Sequence, residues 1–276
     1  MKTKIAVIGA GPAGLLAAWG IREAGGKPVI YDRDPAYQPG RIFSLQYLHE
    51  PCGLLNLRSM RLRYEVDGAY PSRETDAEER LILQRMYNVK LGRNPIEENS
   101  TRFLTEGPQE VWSLKDAYER LHKTFEKDLK TADLSIADIF KMTEEYAGVI
   151  NTAPLDKLMP GVPWPVRTYF IRHDFTPVEK HPEDTCVYNL DPNTPWYRAT
   201  RLDGGTATEY WRIPHGAVAP DKVSQFRVLR KVVSPTHGWF PTPSNFLMTG
   251  RWGSWDPKKL THDAYKDAKY FTERLA

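Results

Sequence analysis

The amino-acid sequence predicts an α/β fold in which a parallel sheet with helices is interrupted by an inserted antiparallel sheet. Two observations predict it. Strand and helix patterns alternate at the start of the chain and again between residues 131 and 160, which is typical of a parallel sheet with crossover helices. Between residues 161 and 240 the sequence changes to prolines, aromatic residues and short runs of alternating apolar and polar residues. This second pattern favours antiparallel strands.

The first strand, turn and helix are predicted within residues 4–32. The apolar run KIAVI breaks at Gly9, Gly11 and Gly14, spaced G-x-G-x-x-G, and a second apolar run ends at Asp32. After a strand, such glycines allow a tight turn, a close approach of the backbone to a pyrophosphate, and close packing of the helix on the sheet. An acid 18 positions beyond the last glycine lies near the spacing expected for a hydrogen bond to a ribose hydroxyl. The stretch therefore predicts a Rossmann-like site for an adenine dinucleotide.

The remaining elements follow from hydrophobic periodicity and from capping and turn residues. Leu62, Tyr64 and Val66 alternate with charged residues, so this strand should bury one face. Strands are predicted at 57–70, 132–136, 148–152, 166–174, 185–190, 196–202 and 206–211 and before Gly250, and helices at 76–91, 114–130, 138–146 and 256–275.

Composition gives little information about partners. The net charge of +3 is too small to indicate nucleic acid or an anionic membrane. Two basic clusters, Arg58, Arg61 and Arg63 and then Arg227, Arg230 and Lys231, are compatible with nucleic acid, although such clusters are usually solvated surface. Cys52 and Cys186 form no C-x-x-C pair, and the sequence shows no signal peptide and no membrane span. We therefore expect a cytoplasmic protein without membrane association, in an oligomeric state that the sequence does not predict.

A histidine and a cysteine lie close together in a segment that also contains proline and glycine. His49 is three positions from Cys52. Because an imidazole titrates near neutral pH, His49 is the candidate general base, although a histidine whose hydrogen bonds are satisfied within a turn is an equal alternative. No further cysteine or histidine lies at ligand spacing, so no metal site is predicted.

Four segments resemble the flavoproteins of the amine oxidase and UDP-galactopyranose mutase superfamily. The segment EEYAGVINTAPL, residues 144–155, is similar to the family's strand that ends in a Thr-Ala-Pro-like turn beside FAD. The turn GAGPAG, residues 9–14, has the form common in FAD proteins, and PWYRAT, residues 195–200, looks like the substrate-domain strand that carries an arginine. GRWGSW, residues 250–255, looks like the C-terminal flavin motif.

This resemblance implies FAD as the cofactor and assigns roles to individual residues. The cofactor-binding residues would be Gly9, Gly11, Pro12, Ala13 and Gly14 at the pyrophosphate, Asp32 with the adjacent Arg33 at the adenosine ribose, Ile136 at the adenine, Thr152 and Pro154 along the dinucleotide, and Gly250 and Arg251 at the phosphates and flavin. Arg41 occupies the place of the family's Gly-Gly-Arg loop with one glycine missing. Arg198 would hold an anionic substrate group, with a surface strand arginine as the alternative, and Trp255 would lie near the flavin.

The resemblance also divides the chain into domains. The FAD-binding domain would comprise residues 1–66, 131–160 and 241–276, with a helical and loop insert at 67–130 and a substrate domain at 161–240. The chain is shorter than typical members and lacks an evident large helical insert of the mutases.

The expected function is an FAD-dependent oxidoreductase that oxidises a C–N bond of a small amine, an amino acid, or an amino-acid-modified nucleotide or nucleobase. The sequence contains no second G-x-G-x-x-G motif, which argues against a separate nicotinamide-binding domain. Four alternatives stay open. They are a redox-neutral mutase-like enzyme acting on a nucleotide-linked substrate through Arg198, oxidation of a modified base within DNA, an NAD-dependent dehydrogenase, and a non-catalytic FAD-binding module.

Overall fold

The protein is described from a computed structural model, which covers residues 3–39, 42, 46–54, 56–67, 77–92, 107–173, 179–213, 226–232 and 242–276. The chain divides into two compact units. The first unit is drawn from Met1–Arg58, Trp112–Pro165 and Val232–Ala276, and the second from Ser59–Val111 and Val166–Lys231. Residues 112–130, which the sequence assigned to an insert, are thus part of the first unit.

The elements follow in chain order. They are β1 (Lys4–Ile8), α1 (Pro12–Glu23), β2 (Lys27–Asp32), β3 (Tyr47–Leu48), β4 (Ser59–Asp67), α2 (Ala77–Lys90), β5 (Gln109–Ser113), α3 (Leu114–Phe125), a short 3-10 helix (Glu126–Asp128), β6 (Leu129–Thr131), α4 (Ile136–Glu145), β7 (Gly148–Asn151), α5 (Leu155–Leu158), β8 (Val166–Arg172), β9 (Thr185–Asn189), β10 (Trp196–Leu202), β11 (Gly205–Tyr210), β12 (Arg227–Val232), β13 (Phe246–Met248) and α6 (Asp263–Leu275). No helix among the described residues is long and apolar enough to cross a membrane.

The first unit contains a five-stranded parallel sheet in the order β13-β7-β1-β2-β6. Its central strand β1 is almost fully buried, as expected for a strand covered by helices on both faces. Gly20 lets α6 pack closely on α1, because a Cβ at this position would overlap the carbonyl oxygen of Tyr265. The predicted parallel sheet is confirmed.

Three predicted boundaries in this unit are wrong, and local side-chain hydrogen bonds explain two of them. The helix predicted at 114–130 ends at Phe125, because residues 126–128 form a 3-10 helix and residues 129–131 form β6. The strand predicted at 132–136 lies at 129–131, because Ser135 caps α4: its hydroxyl accepts the Asp138 amide at 3.2 Å, and Asp138 accepts the Ser135 amide at 3.0 Å. The last helix begins at residue 263 rather than 256. Asp256 instead accepts the Lys258 amide at 2.8 Å, a local bond that favours a turn over a helix.

The second unit contains strands in the order β12-β8-β11-β10-β9-β4-β5. β8 and β11, β11 and β10, and β10 and β9 pair antiparallel, as predicted, whereas β4 and β9 pair parallel. The sheet is therefore mixed. The predicted alternation in β4 is confirmed at Leu62 and Tyr64, which are buried on either side of the exposed Arg63. It does not extend to Val66, which is half-buried like its two neighbours.

Candidate functional site

The predicted cofactor residues in the described part of the chain follow the carboxyl ends of the parallel strands. β1 leads into Gly9–Gly14, β2 ends at Asp32, β6 leads towards Ile136, β7 leads into Thr152–Pro154, and β13 leads into Thr249–Arg251. Parallel strands place these segments along one edge of the sheet. β2 and β6 lie on one side of β1 and β7 and β13 on the other, and such a switch point is where open α/β sheets bind ligands.

The three glycines of the first turn have different surroundings. Gly9 has φ +102°, and a Cβ there would lie 2.8 Å from Thr152 Oγ1. A Cβ at Gly14 would overlap the carbonyl oxygen of Gly9 and lie 2.9 Å from the same hydroxyl. A Cβ at Gly11 would meet no atom within 4 Å. Gly9 and Gly14 are thus required by the packing of the protein itself, while Gly11 borders open space that suits a close-approaching pyrophosphate.

The first turn of α1 is suited to an anion. Gly11 is the N-cap residue, Pro12 is the first helical residue, and the first turn contains no acidic side chain. The unpaired amides at a helix N-terminus and the positive end of its dipole favour phosphate. Ala13 and Gly14 follow within this turn, so their amides belong to the group that an anion would meet.

Asp32 connects the end of β2 to the glycine turn. Its Oδ2 accepts the amide of Ala10 at 2.6 Å, and its Oδ1 accepts the amide of Asp34 at 2.8 Å. These two bonds orient the Asp32 carboxylate at the end of β2. The adjacent Arg33 is exposed.

The end of β7 is held by two residues, of which sequence reasoning identified only one. Thr152 Oγ1 donates to the carbonyl oxygen of Ile8 at 2.9 Å. The fully buried Asn151 donates through Nδ2 to the carbonyl oxygens of Ala153 at 3.2 Å and Gly253 at 3.4 Å. Sequence reasoning missed Asn151, although an asparagine that ends a buried strand is a visible signal. Pro154 is the N-cap of α5.

The turn after β13 lies beside the first turn of α1. Gly250 has φ +71°, and a Cβ there would lie 3.0 Å from Ala13 Cβ. The amide of Ser254 donates to the Gly250 carbonyl oxygen at 3.0 Å and closes the turn. Arg251 is half-buried. Gly253, which the sequence did not single out, packs so closely that a Cβ would lie 2.6 Å from Thr152 Cα.

Two further predicted cofactor residues have a less defined position. Ile136 is the first residue of α4 and is half-buried. It therefore begins a helix near the carboxyl ends of the parallel strands rather than ending a strand, and its contact with adenine stays a prediction. Arg41 lies outside the described residues.

Trp255 is part of a buried aromatic cluster in the first unit. Its side chain has no exposed surface, and its ring lies 4.7 Å from the ring of Trp164 and 5.4 Å from that of Trp252 between centroids. Its backbone has φ +51°. A direct contact between Trp255 and a substrate therefore requires a rearrangement of this cluster.

His49 lies among residues near the other end of α1. Its ring is 5.3 Å from that of Tyr47 and 5.9 Å from that of the buried His262, and the adjacent Glu50 pairs with Lys266 at 2.6 Å. A Cβ at Gly53 would overlap the carboxylate of Glu23, the last residue of α1. A helix of 12 residues is roughly 18 Å long. These contacts do not join the segment of His49 to the glycine turn.

Arg198 belongs to a buried charged network in the second unit. Its guanidinium pairs with Glu209, whose other oxygen accepts Lys231 Nζ at 2.6 Å and the hydroxyl of Tyr197. Burial alone would raise the pKa of Glu209, but Arg198 and Lys231 outweigh it and hold this pKa far below its usual value. Arg198 is half-buried and compensates a buried carboxylate. Its contact with a substrate anion stays a prediction.

Comparisons with known proteins support the fold. No family model matches the chain, and no curated protein matches its sequence. The structure is similar to that of a reduced UDP-galactopyranose mutase, with 13% identity, TM-score 0.57, and coverage of 99% of this chain and 95% of the mutase. It is also similar to a 2,6-dihydroxypyridine-3-hydroxylase from Arthrobacter nicotinovorans (14%, 0.57, 100% and 84%) and to a putrescine oxidase (9%, 0.54, 100% and 99%).

The chain has the fold of these proteins. The predicted fold class is therefore confirmed over the length of the chain. At 9–14% identity, the likeness concerns the fold and not the substrate.

Proposed function

We propose that the first unit binds FAD and that the protein is an FAD-dependent oxidoreductase. The observation that carries this proposal is the open space at Gly11, next to a helix N-terminus without acidic residues and at the switch point of a parallel sheet. These features fit an adenine dinucleotide. FAD rather than NAD is supported by the resemblance of the segments after β7 and β13 to flavin motifs and by the shared fold.

Different residues near the carboxyl ends of the parallel strands would hold different parts of this cofactor. Backbone amides at Ala13 and Gly14 would bind the pyrophosphate, Asp32 would accept a ribose hydroxyl, and the turns at Thr152 and Gly250 would border the dinucleotide. When bound, FAD supplies a hydride acceptor, and the protein supplies orientation and electrostatics.

We further propose that the substrate is an amine, either small or linked to a nucleotide, whose C–N bond is oxidised. The carbon next to nitrogen would lose a hydride to the cofactor, and the electrons would then pass to oxygen or another acceptor. The resemblance of residues 144–155 and 250–255 to segments of the amine oxidase superfamily supports this class. A neutral amine needs no protein base for this step.

An anaerobic flavin-reduction assay tests both proposals. Protein that is purified with FAD, or reconstituted with it, should show visible flavin absorbance, and a panel of amines and amino acids should bleach it without oxygen. A colourless protein that takes up no FAD refutes the cofactor proposal. A protein whose bound flavin stays oxidised with every amine refutes C–N oxidation and leaves the cofactor proposal intact.

A redox-neutral reaction on a nucleotide-linked substrate is the second candidate, because residues 195–200 resemble the substrate-domain strand that carries an arginine in the mutase superfamily. The engagement of Arg198 with Glu209 weakens the original argument for this candidate. Binding of a nucleotide-linked sugar that strengthens when the flavin is reduced would favour it over amine oxidation.

A cytoplasmic location is proposed from the cysteines. Cys52 and Cys186 are both buried and form no disulfide, and burial raises the pKa of the Cys52 thiol to about 12. Neither thiol needs an oxidising compartment. Cell fractionation with an antibody to the chain would test this location.

A further inference from the structure

We infer that Asp267, on α6, positions the turn after β13 to receive the cofactor. This turn, residues 249–254, is called the closing turn. The inference rests on the proposed function, because it concerns the same FAD site. Nothing in the sequence pattern singled out Asp267, which lies on the last helix and far along the chain from the glycine motif.

The first contact that carries the inference is between Asp267 and the start of the closing turn. Thr249 has no exposed surface, and its Oγ1 donates to Asp267 Oδ2 at 2.6 Å. Lys259 Nζ donates to the same oxygen at 2.7 Å. Hydrogen bonds to an ionised carboxylate are shorter and about twice as strong as neutral ones. Asp267 therefore holds the first residue of the turn by a strong bond that Lys259 reinforces.

The second part of the argument is that Asp267 is itself held in place. α6 lies against α1 at the glycine contact of Gly20 with Tyr265, where neither helix has room to approach further. The hydroxyl of Tyr265 also bonds to Glu23 at the end of α1. The carboxylate of Asp267 thus sits on a helix docked to the same α1 whose first turn borders the pyrophosphate space.

The closing turn is also tied to β7 and lies against α1. The Thr249 amide donates to the Asn151 carbonyl oxygen at 3.0 Å, and Asn151 Nδ2 bonds to Gly253. Gly250 lies so near Ala13 that a Cβ would be 3.0 Å from the methyl group of that residue. The closing turn is therefore held between β7 and α6, next to the first turn of α1 where the pyrophosphate would bind.

The consequence is a prearranged binding surface. If the bond from Asp267 to Thr249 is removed, the closing turn keeps its ties to β7 but loses its anchor to α6. FAD binding would then have to order the closing turn, and the free energy of this ordering reduces affinity without removing any contact to the ligand. Asp267 would act as a positioning residue that does not touch the cofactor.

The experiment is a double-mutant cycle on FAD affinity, measured by titrating apoprotein with FAD. Thr249→Val keeps the shape of a buried side chain and removes the hydroxyl, and Asp267→Ala removes the carboxylate that accepts it. Each single variant should bind FAD about tenfold more weakly, as expected for a lost hydrogen bond to a charged group. The double variant should be no weaker than the weaker single variant, because both changes remove the same bond.

Two controls separate positioning from general damage. Glu50→Gln removes an ion pair with Lys266, which lies on α6 next to Asp267. This variant should leave FAD affinity within twofold of wild type. Amide hydrogen exchange at residues 249–254 of the apoprotein should become faster in the Thr249 and Asp267 variants, with the exchange of β1 unchanged. A change in β1 exchange equal to that of the turn means general destabilisation and overturns the inference.

The outcomes also distinguish this inference from the proposed function. Wild-type protein that binds FAD, together with Thr249 and Asp267 variants that bind it within twofold of wild type, overturns the role of Asp267 alone. Wild-type protein that binds no FAD overturns the proposed function and this inference together.

Discussion

Replacing Gly11 by alanine should remove cofactor binding while leaving the fold intact. A methyl group at this position meets no protein atom within 4 Å, and its backbone angles, φ −72° and ψ 177°, are allowed for alanine. The methyl group would instead fill the space that a pyrophosphate would occupy. The same change at Gly14 should damage the fold itself, since the methyl group would overlap the carbonyl oxygen of Gly9.

The expected magnitudes follow from these surroundings. At Gly11, the loss of a favourable N-cap residue and the lower entropy of the unfolded chain each contribute about 0.5–1 kcal/mol with opposite sign, so the net change in unfolding free energy is near zero. Displacing a pyrophosphate from two backbone amides would cost at least about 3 kcal/mol, which is more than a hundredfold in affinity. At Gly14, a gain in helix propensity of about 1 kcal/mol is outweighed by overpacking against backbone, for a net loss of about 2 kcal/mol.

The assay compares wild type, Gly11→Ala and Gly14→Ala in two measurements. Urea unfolding of the apoproteins gives the change in unfolding free energy, and FAD titration of each gives affinity. The Gly14 variant should lose both stability and affinity, whereas the Gly11 variant should lose affinity alone. A Gly11 variant that binds FAD as tightly as wild type would refute the placement of the pyrophosphate at this turn, and one that unfolds like the Gly14 variant would refute the open space.

Three predictions concern stability. Lys90 is only 5% exposed and donates to Asn189 Oδ1 at 2.6 Å, and burial lowers its pKa from 10.5 to about 8. Because the unfolded chain binds more protons than the folded chain between these two pH values, wild-type stability should rise with pH over that window. Lys90→Met removes the buried charge and should be more stable than wild type at pH 7 by up to about 3 kcal/mol. Urea unfolding at pH 7 and pH 10 checks this, and a variant with the same pH slope as wild type would contradict it. Glu209→Gln should destabilise by about 3 kcal/mol, because it leaves the two half-buried cations Arg198 and Lys231 uncompensated. Since the Glu209 pKa is held below its usual 4.5, its contribution should be present above that pH and be lost as the pH falls, so equal acid unfolding of variant and wild type would count against this network. Ser135→Ala should cost about 1 kcal/mol by removing the cap of α4, and an unchanged melting temperature would show that the cap is dispensable.

Most segments at the carboxyl ends of the parallel strands could be predicted from the sequence, because the sequence patterns that indicate them are local. The glycine spacing, the following helix and Asp32 occupy one continuous stretch, and the structure places them in one β–α–β unit. The Thr-Ala-Pro segment and Gly250 were also placed correctly at this edge, on strands that the sequence separates by almost a hundred residues. The strand before α4 was misplaced because the weak apolar pattern there competes with the capping box at Ser135.

The roles of the polar residues could be predicted less well. Arg198 was judged by its motif, but its partner Glu209 lies on the neighbouring strand and is recognisable only once β10 and β11 pair. His49 was judged by its chemistry, but its position depends on contacts with α6. A side chain's charge state and partners depend on which other elements pack around it, and periodicity carries no information about that.

The sequence by itself determined the organising β–α–β turn, since backbone angles at glycine and apolar periodicity are properties of neighbouring residues. Tertiary structure alone decided which glycine leaves room for a ligand, because Gly9, Gly11 and Gly14 are equivalent as letters and differ only in what surrounds them. It also decided that Asn151 and Asp267 hold the closing turn, since each contact joins residues of separate elements. Such contacts arise when strands and helices pack, and no local pattern encodes them.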